Sequence, residues 1–220
     1  MTQYGCLSRR GVVAFASVVL STSGAAHGAV QTFSMDWGPG GGSESIYIAI
    51  NNFAGGPTSS GAAMPGWDLQ IESSNSGNVL KFNFPPPPPG PVNPADPNPF
   101  YGLMRLPGVT TGPGASLSEG MLVQSTSSFA DSGPVSFGGG AGQWRLNSVN
   151  IFGFRFRSPT STTVHYGYGR LAIGGSPGQF RLIELSYQDA SGAAIVVIPG
   201  PGVGVAMIAA TALRGRLRRR

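Results

Sequence analysis

Apolar and polar residues alternate in short runs through the middle of this chain. Ile46, Ile48 and Ile50 alternate with Tyr47 and Ala49, and Leu69 and Ile71 alternate around Gln70, with Asp68 and Glu72 on the polar side. Phe152, Phe154 and Phe156 fall on one side of an extended chain, with Gly153, Arg155 and Arg157 on the other. Val164, Tyr166 and Tyr168 repeat the period. A further strand carries Phe180 and Leu182 on one face and Ile183, Leu185 and Tyr187 on the other. Successive side chains of a strand point to opposite faces, so a period of two bounded by Gly, Pro, Asn and Ser predicts half-buried strands. No amphipathic run of helical period exceeds two turns before the C-terminal tail. Short strands with turn-rich joints predict an all-β fold, an antiparallel β-sandwich of jelly-roll-like form.

Both ends break this pattern. Arg9 and Arg10 precede the apolar or small stretch Gly11–Leu20, and Ser21–Ala29 is small and polar. That order of basic, apolar and small residues is the pattern of a secretory signal peptide, expected as a helix over residues 1–28. Cleavage between Gly28 and Ala29 fits best, and a cut after Ala26 is nearly as good. The run around Arg9 and Arg10 also suits a twin-arginine signal, so the export route stays open. At the other end, Pro199-Gly200-Pro201-Gly202 leads into an apolar run, Val203–Leu213, closed by Arg214, Arg216, Arg218, Arg219 and Arg220. Eleven residues of helix span about 17 Å, whereas a bilayer core asks for about 20 residues. The run is therefore a marginal membrane anchor, and its arginines would stay on the cytoplasmic side. Three segments result: a signal over 1–28, an exported domain over 29–198 and an anchor-like tail over 199–220.

Composition sharpens this division. Of fourteen basic residues, two lie in the signal and five in the terminal cluster, leaving seven against nine acidic ones. The exported body thus has a net charge of about −2, and the pI of 9.9 belongs to the ends. A nucleic-acid partner is not expected, because no basic stripe remains to neutralise phosphates. Cys6 would leave with the signal, so the mature chain has neither a disulfide nor a Cys-based metal site. Residues 85–99 hold nine prolines in fifteen. They cannot supply ladder hydrogen bonds and predict an exposed loop between strands. The glycine stretch Gly38–Gly42 lacks the strand-to-helix context of a phosphate loop and predicts a turn.

The candidates for chemistry are few. His165 sits in a strand-like run, where a hydrogen-bonded structural role is expected, since Asp131 and Asp189 are too scattered to converge on it. Asp68 and Glu72 would lie about 13 Å apart on one strand face, too far for paired carboxylates in glycoside hydrolysis. They are expected on the solvated face of a sheet. Trp67, Trp144, Tyr166 and Tyr168 are candidates for a sugar-stacking platform, or for core positions. No enzyme activity, cofactor or metal is expected.

These residues carry a resemblance. The chain resembles the PEP-CTERM exported proteins of bacteria, in their β-rich, planctomycete-like form. The matching stretches are Gly66-Trp67-Asp68-Leu69, Leu117–Val123 with Phe129, Gly142-Gln143-Trp144, Phe152–Phe156, His165-Tyr166-Gly167-Tyr168, Leu185–Asp189, the Ile195 strand and the tail. In that family a Pro-Glu-Pro motif, an apolar helix and an arginine cluster direct the protein to an exosortase, a membrane peptidase that cleaves near the motif. Here Pro199-Gly200-Pro201 has glycine in place of glutamate. The resemblance implies export machinery, signal peptidase and exosortase as partners, and a tail held in the inner membrane before processing. The product would be a non-enzymatic cell-surface or matrix protein, associated with extracellular polysaccharide in the usual suggestion for such domains. A carbohydrate-binding β-sandwich module is the alternative.

Overall fold

The computed structural model describes residues 16–19, 28–38, 45–52, 54–58, 66–74, 78–86, 98–158 and 163–200. These residues form antiparallel sheets with one short 3-10 turn, and the protein is all-β. In chain order the strands are β1 (Ala16–Val19), β2 (Val30–Trp37), β3 (Ser45–Ala49), β4 (Ala54–Thr58), β5 (Leu69–Ser74), β6 (Val79–Asn83) and β7 (Gly102–Met104). There follow β8 (Leu122–Val123), β9 (Phe129–Ala130), β10 (Gly133–Pro134), β11 (Ser148–Arg157), β12 (Val164–Ile173), β13 (Phe180–Gln188) and β14 (Ile195–Val196). A seven-stranded sheet has the order β1-β2-β13-β12-β11-β7-β9, and a five-stranded sheet the order β10-β6-β5-β3-β4. The short strands β14 and β8 pair separately.

The main core lies between the two larger sheets. Ile46, Ile48, Leu69, Ile71 and Phe82 point inward from the five-stranded sheet, as their alternation predicts. Phe152, Phe154 and Phe156 meet them from β11. The ring of Phe82 lies 5.1 Å from Phe152 and 5.2 Å from the fully buried Trp144, whose Nε1 donates to the Gly114 carbonyl. Glycine makes room for these rings. Phe152 is paired with Gly169 and Phe154 with Gly167 across the β11–β12 ladder. A Cβ on either glycine would stand 2.3–2.4 Å from the ring beside it. Each ring thus covers a glycine on the neighbouring strand, which restores the packing that a bare strand position lacks.

Strand β13 departs from the simple alternation. Leu182 pairs with Leu171 and Glu184 with Arg170, so Ile183 is an extra residue in a β-bulge. A bulge resets which face each later residue occupies. Leu185 therefore joins Phe180 and Leu182 in the main core, and Tyr187 packs against it. This corrects the expectation that Leu185 and Tyr187 occupy the opposite face. Without the bulge, Glu184 would follow Leu182 into the apolar core.

The other face of the seven-stranded sheet carries a second core. Leu117, Val123, Tyr166, Tyr168, Ile195 and Val197 meet there. Gly153 lets them approach, since a Cβ at that position would lie 2.9 Å from both Leu117 and Val123. Irregular chain and the β8–β14 pair cover this core. Asn98 Nδ2 donates to the Pro85 carbonyl, drawing together the two ends of the proline-rich loop. Ala16–Val19, expected within a signal helix, instead pairs as a strand along the edge of β2. The rest of that segment, and the tail from Pro201 with its expected apolar helix, lie outside the described residues. Among the described residues no helix is long and apolar enough to cross a membrane.

Candidate functional site: where the chain leaves the fold

The site grows out of the end of β13. Gly192 takes a positive φ of 72°, natural for glycine, and its N–H donates to the Val164 carbonyl. The chain turns there and runs back across the second core as a strap. Ile195 pairs with Val123 and Val196 with Leu122. Alternation now works at the surface: Ile195 and Val197 are buried, while Val196 and Ile198 are about half exposed. Val197 donates to the Met121 carbonyl, and the Gly120 N–H donates to the Val197 carbonyl. Burying two aliphatic side chains stabilises the strap by roughly 3–6 kcal/mol before its ordering entropy is counted.

Where the strap ends, a buried arginine meets it. Arg170 is only 8 % exposed, on the second-core face of β12. Its Nη2 donates to the Ile198 carbonyl, and its guanidinium lies 6.0 Å from the centre of the Tyr168 ring. Its Nη1 is 3.7 Å from Glu119 Oε1, and its Nε is 3.7 Å from Glu184 Oε2. Glu184 Oε1 accepts from the Ser186 hydroxyl, which shares a hydrogen bond with Thr32 Oγ1. Burial penalises an unpaired guanidinium heavily, so this chain of partners is what lets Arg170 sit inside. The bulge at Ile183 supplies the buried countercharge by turning Glu184 to this face. Arg170, Glu184 and Glu119 are absent from the residues that sequence reasoning singled out. The available signal was an arginine breaking the Tyr-Gly-Tyr-Gly-Leu rhythm of residues 166–171.

The predicted processing positions have the following surroundings. Pro199 is exposed, and a Cβ on Gly200 would stand 3.4 Å from the Arg170 guanidinium carbon. Pro201 and the cluster Arg214, Arg216, Arg218, Arg219 and Arg220 lie outside the described residues. At the predicted signal-cleavage position, the Asp189 N–H donates to the Ala29 carbonyl. Gly28 is pressed so closely on Asp189 and Ala190 that a Cβ there would stand 2.1 Å from Asp189 Oδ1.

The other sequence candidates have structural positions. Trp144 and Tyr168 are fully buried and Tyr166 is 6 % exposed, so none of the three offers a ring face to a sugar. That removes these three rings from the candidate platform and leaves them the core positions that were the other reading of them. Trp67 is half-buried, edge-on to Tyr47 with ring centres 5.5 Å apart. His165 is buried, stacked on Phe156 at 5.4 Å, with Nδ1 hydrogen-bonded to the Gln188 carbonyl at 3.0 Å. Asp68 is not on a solvated face. It is buried at the start of β5, and its Oδ2 accepts the Ile50 N–H at 2.7 Å, tying the 3-10 turn that follows β3. Burial, with the Asp68 charge as the next cause and Arg157 opposing, pushes the Tyr101 phenol up to about 12. Glu72 accepts from Gln70 Nε2 and stands opposite Lys81. An open cleft of about 420 Å³ contains Arg105, Asp131, Ser132 and Ser136. The Arg105 guanidinium is spent on loop carbonyls there, donating to Gly112 at 2.8 Å. Among the described residues no three His, Cys, Asp or Glu side chains gather as a metal site.

Comparison with protein-family models, curated proteins and solved structures finds no match for this chain.

Proposed function

We propose that this protein is a non-enzymatic, exported surface or matrix protein whose C-terminal tail is a sorting and membrane-anchor signal. The observation that carries the reading is the position of the motif directly after the strap. Among the described residues, the strap's last buried side chain is Val197 and its last anchored carbonyl is Ile198, immediately before the exposed Pro199. The variant motif Pro199-Gly200-Pro201 thus follows directly on the last buried side chain and the last anchored carbonyl of the described strap. The body is a jelly-roll-like β-sandwich bounded by a cleaved signal and this tail. Its partners are the export machinery, signal peptidase and an exosortase-type membrane peptidase. The tail holds it in the inner membrane until processing, after which it reaches the cell surface or matrix. Extracellular polysaccharide is the expected surrounding there. A carbohydrate-binding role would have to be built around Trp67, since the other three candidate rings are enclosed.

Expression of the full chain in its host, followed by intact-mass analysis of both ends, tests the proposal. The expected product starts at Ala29, or at His27, and stops close to Pro199–Pro201. Protein that retains every residue to Arg220 overturns the sorting reading.

A further inference from the structure

We propose that Arg170 is a clasp that couples folding of the sheet to release of the tail. Only the assembled sheet brings it to the strap. Arg170 comes from the centre of β12, Glu184 from β13 across the ladder, Glu119 from the loop before β8, and the Ile198 carbonyl from the strap itself. Three separate parts of the chain therefore close on a guanidinium that a fourth supplies. An unfolded or half-folded chain has no bulge at Ile183, no Glu184 on this face and no buried arginine to receive Ile198. In the folded chain, residues 195–198 are withdrawn from an extended-substrate groove because they are already paired or clasped. Pro199 is the first exposed residue past the clasped Ile198 carbonyl, and there a peptidase can first take up the chain as an extended strand. The clasp thus fixes where the cleavable extension begins, and Arg170 acts as a positioning residue for it. The value to processing rests on the sorting function proposed above. The clasp does not.

The geometry favours arginine over lysine. A guanidinium reaches the Ile198 carbonyl through Nη2 while Nη1 and Nε face two different carboxylates. A single ammonium cannot span those directions together. Tyr168 supports the guanidinium from below with its ring.

The test uses the full chain in detergent, treated with a non-specific protease at low ratio, with the first cuts mapped by mass spectrometry. The wild type is expected to be cut first beyond Ile198, with 195–198 protected. In Arg170→Gln the first cuts move into 190–198 and come about tenfold faster, because a charge-assisted bond to the strap is gone and local opening rises. Asp36→Asn, which loses only an exposed ion pair between β2 and β13, keeps the wild-type pattern. Should Arg170→Gln not fold, Arg170→Lys carries the test through hydrogen exchange. The Val197 N–H then exchanges faster than in the wild type, while amides in β11 and β12 are unchanged. Wild-type protection of Val197 in a folded Arg170→Lys or Arg170→Gln protein overturns the clasp. If the strap loosens in these variants but the host never trims the wild type, the clasp stands and the sorting function falls.

Discussion

The two faces of the seven-stranded sheet are built on opposite plans. Toward the five-stranded sheet, phenylalanine rings lie over paired glycines and nearly every contact is apolar. Toward the strap, tyrosines and aliphatics share the surface with Arg155, Arg170 and Glu184, and irregular chain provides the cover. The first face is made by regular strands meeting regular strands. The second has only the two-residue pairing of β14 with β8 as ladder, plus single hydrogen bonds and buried charges. One face therefore specifies the fold, and the other registers that folding has happened. A border for the tail belongs on the second kind, where a few residues can open without unfolding the sheet.

Truncation on each face breaks or sharpens that contrast most directly. Phe152→Ala removes a fully buried ring that touches Phe82, Trp144 and Phe154. A loss of about 3–5 kcal/mol is expected, seen as a lower denaturant midpoint for the whole domain. Ile195→Ala sits under a thin cover that can collapse into the space. Its expected loss is near the lower end for such changes, about 2 kcal/mol, and it should appear chiefly as faster exchange in residues 120–123 and 195–198. Equal losses, with unfolding shared across the domain, would show the two faces to be one cooperative unit.

Alkali probes the rims of both cores. An unfolded tyrosine ionises near 10, while Tyr101, beside the main core, is pushed up to about 12. Burial also raises the Tyr168 phenol in the second core and that of Tyr187. A raised phenol contributes its full stability below the unfolded value and loses it as pH climbs through the folded one. Stability should accordingly be flat up to about pH 10 and fall between about 10 and 12, by at most about 3 kcal/mol for Tyr101. Tyr101→Phe should remove its share of that fall, measured by denaturation at each pH. An unchanged slope in this variant would mean that Tyr101 ionises normally in the folded protein.

Legibility in the sequence follows the same division. The regular strands were readable because alternation is a local property: Ile46–Ile50, Leu69–Ile71 and Phe152–Phe156 each announce their inward face within five residues. The bulge was not, because an extra residue is defined only against partner strands, here Arg170–Leu171 of β12. Misplacing Leu185 and Tyr187 had that cause. Trp144, Tyr166 and Tyr168 read as core residues first, with a platform as the alternative, and the chain folded over them puts all three inside. Asp68 looked like a strand-face carboxylate because its true partner, the Ile50 amide, is a backbone group that sequence does not display. The clasp was hidden for a related reason. Its residues are charged groups scattered over positions 119–184, and their meeting depends on the bulge.

The weakest ion pair makes the last comparison. Asp36 and Arg181 approach to 2.9 Å on β2 and β13, closer than the 3.7 Å of Arg170 and Glu184 on β12 and β13. Distance alone would rank the outer pair first. Exposure reverses the order, because Asp36 and Arg181 are more than 60 % exposed while Arg170 and Glu184 are under 10 %. Water and salt screen the outer pair, and holding two mobile side chains together costs entropy. Asp36→Asn is thus expected to shift stability by less than about 1 kcal/mol, with the difference vanishing at high salt. Glu184→Gln, at the longer distance, should be the more damaging change because it leaves a buried guanidinium short of its countercharge. Denaturant midpoints for the two variants at low and high salt settle the ranking. A larger loss for Asp36→Asn would mean that proximity, and not burial, governs the charges of this sheet.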